Sequence, residues 1–171
     1  MILQTMIQVI AEYMGLVWLT ISFPLYITYI LWRNDWKVLH SISDSYYILK
    51  KKERNEEILF TLFTFFLGIG TILQYPISPL FFFSGMGFFW VGTQTQFKSD
   101  TSIKGTIHYI GAVIGIVCSL IGLGLNDMWL PLLIMGVGSP LIWWLRNPKG
   151  DFIWWVEILA FISIIYGLWG L

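Results

Sequence analysis

Apolar and polar positions do not alternate finely along this chain. They come in blocks, and the blocks predict helices. Six apolar runs stand out, at about residues 9–32, 58–73, 79–95, 107–125, 129–145 and 152–170. The first reads VIAEYMGLVWLTISFPLYITYILW. A bilayer-crossing helix needs ~17–25 residues, so several runs sit near the short limit. The second run can extend at its N-terminus through YYILKKKERNEEILF, which holds no glycine or proline to break a helix. The second, fourth and fifth connections are very short, which implies tight antiparallel hairpins. The predicted fold is all-α: a polytopic transmembrane bundle of six spans forming one domain over 1–171.

Composition supports this pattern. The 171 residues are 57% hydrophobic and 18% aromatic, and only 12% are charged, about half the usual share of a soluble domain. A water-soluble fold of this length cannot hide so much apolar surface. The formal net charge is zero, which excludes a basic nucleic-acid footprint. The single cysteine, Cys118, lies inside an apolar run, so neither an intrachain disulfide nor a cysteine metal cluster is expected. The N-terminus lacks a positive leader region and its apolar stretch is long, so no cleavable signal peptide is expected.

Charge placement sets an orientation. Of ten Lys and Arg residues, six (Arg33, Lys37, Lys50, Lys51, Lys52, Arg54) fall in the first connection. Lys98 and Lys104 fall in the third, and Arg146 and Lys149 in the fifth. By the positive-inside rule the odd connections face the cytoplasm and both termini face outward, in a bacterial-type inner membrane. The KKKER run in the first connection also suits anionic lipid headgroups. Trp32, Trp36, Trp143, Trp144, Trp154 and Trp155 flank those connections and Trp129 and Trp169 the opposite ends, as interfacial anchors would. Pro24 and Pro140 should kink their helices.

The fourth span carries Gly111, Gly115, Ser119 and Gly122 on one side. Small residues at this spacing let helix backbones approach closely in lipid. The face serves either packing within the chain or contact with a second copy.

Two carboxylates, Glu12 and Glu157, lie in predicted spans, where ionisable groups are costly and usually have a partner or a task. Gln4, Gln8 and Glu12 form a stripe on the first helix. Arg146, at the end of the fifth span, is the expected partner of Glu157. Around the cytoplasmic ends the candidates for a ligand pocket are Ser41, Ser43, Asp44, Tyr47, Gln94, His108, Tyr109, Arg146 and Glu157. Ser43 or Asp44 also suits the N-cap of the following helix. A Ser/Asp/His hydrolase is conceivable from these types, but no nucleophile elbow frames a serine. Two histidines and Asp44 lack a recognised zinc spacing. No catalytic residue, metal or cofactor is therefore assigned.

The stretches HSISDSYY, FFFSGMGFFWVGTQTQF and IHYIGAVIGIVCSL resemble a family of small, uncharacterised six-span bacterial membrane proteins, and more loosely the FRAG/DRAM/Sfk-type proteins. The matching positions are Ser43 and Asp44, Gly85 and Gly92, and His108, Tyr109 and Ala112. The resemblance covers roughly residues 40–125. It implies six helices and a lipid-related role without established chemistry. It also implies a first connection on the non-cytoplasmic side, whereas all ten basic residues place that connection inside. A wider likeness to alkaline-ceramidase-type membrane hydrolases implies three zinc histidines, and this chain has two histidines in all.

The leading expectation is thus a non-catalytic membrane protein binding a lipid or small ligand at the cytoplasmic side. The alternatives are a small oligomeric transporter or channel using Glu12 and Glu157, and an intramembrane hydrolase using Ser43 or Ser41, Asp44 and His108.

Overall fold

A computed structural model describes residues 2–52, 56–93 and 103–171. Among the described residues there are seven α-helices and no strand. They are α1 (Ile2–Arg33), α2 (Ser45–Lys52), α3 (Ile58–Ile72), α4 (Leu80–Thr93), α5 (Ile103–Gly124), α6 (Leu130–Arg146) and α7 (Phe152–Trp169). A short 3-10 turn, Asn147–Lys149, joins the last two. Among the described residues, three helices are long and apolar enough to cross a membrane: Gln4–Arg33, Thr106–Gly124 and Phe152–Trp169. Ile58–Ile72 and Leu80–Thr93 are apolar but shorter.

The second span does not extend back as one helix. The 45–52 segment is a separate helix, and a turn at Glu56 and Glu57 precedes α3. The run lacks a breaker, but tertiary contacts decide its path. Arg33 at the end of α1 donates two hydrogen bonds to Glu56, at 3.0 and 2.7 Å, which holds the start of α3 against the end of α1. α1 itself stops where Asp35 and Trp36 both take left-handed φ values of 53° and 60°, a conformation that ends a helix. Pro24 and Pro140 lie inside α1 and α6, and both helices run on past them.

Helix contacts close a ring. α1 packs on α3, α3 on α4, α4 on α5, α5 on α7, and α7 back on α1. α6 stands outside, against α7 and α5. Pro131 is the one buried residue of α6, and Val137 is 69% exposed. An apolar face this bare suits lipid rather than water. Inside the ring an aromatic core forms from Phe23, Tyr26, Phe60, Phe63, Phe88 and Phe161.

The glycine face of α5 is spent within the chain. A Cβ on Gly87 would lie 2.5 Å from the Gly111 carbonyl oxygen and 2.6 Å from the Gly115 nitrogen, so α4 and α5 touch through bare backbone. Ser84 donates to the Gly115 carbonyl at 2.6 Å and accepts from Ser119 at 2.6 Å. Gly122 faces Phe81. The Gly111, Gly115, Ser119 and Gly122 face thus packs against α4.

Candidate functional site

The first connection, between α1 and α2, folds over one end of the ring and is tied down by polar contacts. Trp154 donates its backbone N–H to the His40 carbonyl at 2.9 Å. This satisfies one of the orphan donors in the first turn of α7, a role the side chain of Asp151 does not take. His40 Nδ1 lies 2.6 Å from the Gly150 carbonyl. The Ile42 N–H donates to Glu157 Oε2 at 2.5 Å. Ser43 Oγ and His108 Nε2 are hydrogen-bonded at 3.0 Å. Ser41 Oγ accepts from the Asp44 N–H at 3.2 Å. The Tyr26 hydroxyl donates to Ser45 Oγ, and Ser45 in turn donates to the Ile42 carbonyl, both at 2.5 Å. Ser41, Ser43, Asp44 and Ser45 are all buried. A buried loop carries polar backbone that must be satisfied, and here α5 and α7 satisfy it.

Among the expected site residues, Ser41, Ser43, Asp44, His108 and Glu157 come together in this way. Tyr47 is half-buried, edge-on to Tyr46. Tyr109 points away and is 61% exposed. Gln94 lies outside the described residues. Arg146 does not pair with Glu157. It donates to both carboxylate oxygens of Asp151 and lies over the Trp155 ring. Asp151, five residues on, is within reach across the turn, whereas Glu157 points into the ring. The guanidinium hydrogen bonds hold the Asp151 carboxyl below the ordinary aspartate range. Asp44 sits at the N-cap position of α2 and its carbonyl accepts from the Tyr47 and Ile48 N–H groups. Trp154 is not an interfacial anchor: it is 2% exposed, in the core under the first connection. Trp32, Trp36, Trp143 and Trp144 are exposed, as anchors should be.

A cavity of about 30 Å³ lies beneath this connection. Its polar lining is Ser43, Thr64 and Glu157, and the rest is apolar, including Phe60, Phe63, Phe88 and Phe161. That volume holds a water molecule or two; it admits no lipid headgroup. Across the Tyr26 and Phe63 rings, stacked at 4.1 Å, lies a groove of about 390 Å³ between α1 and α3. Trp18, Leu25, Tyr29, Leu59, Leu62 and Phe66 contribute to its walls. Phe63 borders both spaces.

The Ser43–His108 distance suits a nucleophile and its base. However, the N–H groups of Ile42, Asp44, Ser45, Tyr46 and Tyr47 already donate within the protein. Among the described residues they leave no pair of loop N–H donors beside Ser43 for an oxyanion, and the cavity is too small for an ester. Among the described residues no three His, Cys, Asp or Glu side chains gather to hold a metal. No family model, curated protein or solved structure matches the chain.

Sequence reasoning missed Tyr26, Thr64 and the backbone groups of His40 and Ile42. Thr64 gives a faint signal, a hydroxyl within a phenylalanine run. The backbone groups give none, because any residue carries them.

Proposed function

We propose that this is a six-span protein of a bacterial-type inner membrane that binds an anionic membrane lipid, its acyl chain lying in the groove between α1 and α3. The odd connections face the cytoplasm and the termini face outward. The observation that carries the reading is the groove itself: about 390 Å³, apolar, and lying directly beside the stacked Tyr26 and Phe63 rings. It runs along α1 from Trp18 to Tyr29, toward Arg33 one turn further on and the basic first connection. A tail in the groove therefore brings a phosphate toward Lys37, Lys50 and Lys51, where charge favours it. The polar residues under the first connection hold that connection in place and do not themselves receive the headgroup.

Native mass spectrometry of the detergent-purified protein tests this. A bound phospholipid mass is expected, retained better for an anionic than a zwitterionic lipid, and lost in Leu62→Trp, which fills the groove. A protein that carries no lipid in mild detergent, or a variant that retains it as well as the parent, overturns the reading.

A further inference from the structure

We propose that Glu157 is a proton-binding site: the carboxyl oxygen left over from its bond to Ile42 takes up and releases a proton through the small cavity beneath the first connection. The inference does not depend on lipid in the groove.

Glu157 stands on α7 in a helix long and apolar enough to cross a membrane. Its Oε2 accepts one hydrogen bond, from the Ile42 N–H, and Oε1 accepts none from any described residue. An anion in such surroundings requires a counter-charge. Among the described residues no ion pair supplies it: Arg146 is committed to Asp151 and Arg33 to Glu56. Among the described residues, the charged side chain that bears on Glu157 is another carboxylate, Asp44. From α3 the polar group facing the cavity is Thr64, whose hydroxyl donates to its own helix. From α5 it is His108, acting through Ser43. From α4 only Phe88 and Val91 line the space.

A hard metal cation wants about six oxygen ligands, and three oxygen-bearing side chains line this cavity. A proton needs one. With the proton on Oε1, Oε2 remains a carbonyl oxygen and keeps the Ile42 N–H. The water-sized space beside it leads to Ser43, whose hydroxyl is bonded to His108. Glu157 gains the proton from water in that space and returns it there, with no other bond made or broken.

The test uses the full chain in lipid bilayers and dicyclohexylcarbodiimide, which adds to protonated carboxyls in apolar surroundings and leaves a stable acylurea. Mass spectrometry of the peptides is expected to find the adduct on Glu157 and not on Glu12. Labelling should slow as pH rises, be lost in Glu157→Gln, and be unaffected by sodium. Infrared difference spectra of the same membranes read the group without any reagent. The parent should show a protonated-carboxyl carbonyl band that Glu157→Gln lacks; the amide oxygen of the variant still accepts from Ile42, so the fold is kept. Absence of both the adduct and the band overturns the proposal. Protection by sodium also overturns it, in favour of a cation site, and so does labelling that ignores pH.

Discussion

Glu12 and Glu157 are both carboxylates in long apolar helices, at opposite ends of the ring, and their surroundings share little. Glu12 accepts a hydrogen bond from Gln8, one turn back on its own helix, at 3.0 Å. It borders an open, partly polar hollow of about 240 Å³ with Tyr13, Gln74 and Trp169. Glu157 instead binds a residue 115 positions away and holds a connection onto the ring. A carboxylate that reaches water and a local partner does little for the fold. One that satisfies a distant buried N–H joins elements that are otherwise separate. The same contrast holds for the two ends as wholes. The end under the first connection is held by at least four polar contacts between distant segments. The other end has Gln74 donating to the Glu12 carbonyl at 2.9 Å and Trp169 donating to Thr20 at 2.8 Å.

The sharpest way to break this comparison is to truncate both carboxylates. Glu157→Ala leaves the Ile42 N–H unpaired and enlarges a cavity, and is expected to cost about 2–4 kcal/mol. Glu157→Gln recovers most of that. Glu12→Ala is expected to cost under about 0.5 kcal/mol. Reversible unfolding in mixed micelles measures all three, and equal losses at the two sites would end the distinction.

Next in size is the Ser43–His108 bond. His108→Ala should cost about 1–3 kcal/mol, since it strands a buried hydroxyl. A cycle with Ser43→Ala should show a coupling of about 1 kcal/mol. Additive losses would mean that the bond does not hold the first connection to α5.

At the other end Gln74→Ala should cost about 1 kcal/mol, because the Glu12 carbonyl keeps its place in the helix. The same unfolding assay reads it, and a loss matching that of Glu157→Ala would make the two ends alike.

The smallest effect expected is a pH dependence from Asp151 at the rim of the connected end. Its carboxyl is held low by Arg146, so the stabilisation is complete above the ordinary aspartate range, near pH 4. It fades as pH falls through the lower, folded-state value. The pair is near the surface, so the change is small and shrinks in salt. Asp151→Asn should remove that part of the acid dependence and leave the rest.

Much of the architecture was written locally. Apolar blocks fixed where α1 and α3–α7 lie, because a helix satisfies its own backbone and so depends little on neighbours. Small residues at Gly111, Gly115 and Ser119 marked a close contact for the same reason, although not whether the partner was inside the chain. Residue types also pointed to Ser41, Ser43, Asp44, His108 and Glu157 as one polar neighbourhood. The sequence could not say that Arg146 would turn to Asp151, that Trp154 would be buried, or that α2 would separate from α3. Nor could it show that the partners of Glu157 and Trp154 are backbone groups of Ile42 and His40. Periodicity reports which face of a helix is apolar; it carries no information about which distant segment will cover that face. That choice belongs to the tertiary structure, where buried donors and acceptors must find one another across the whole chain.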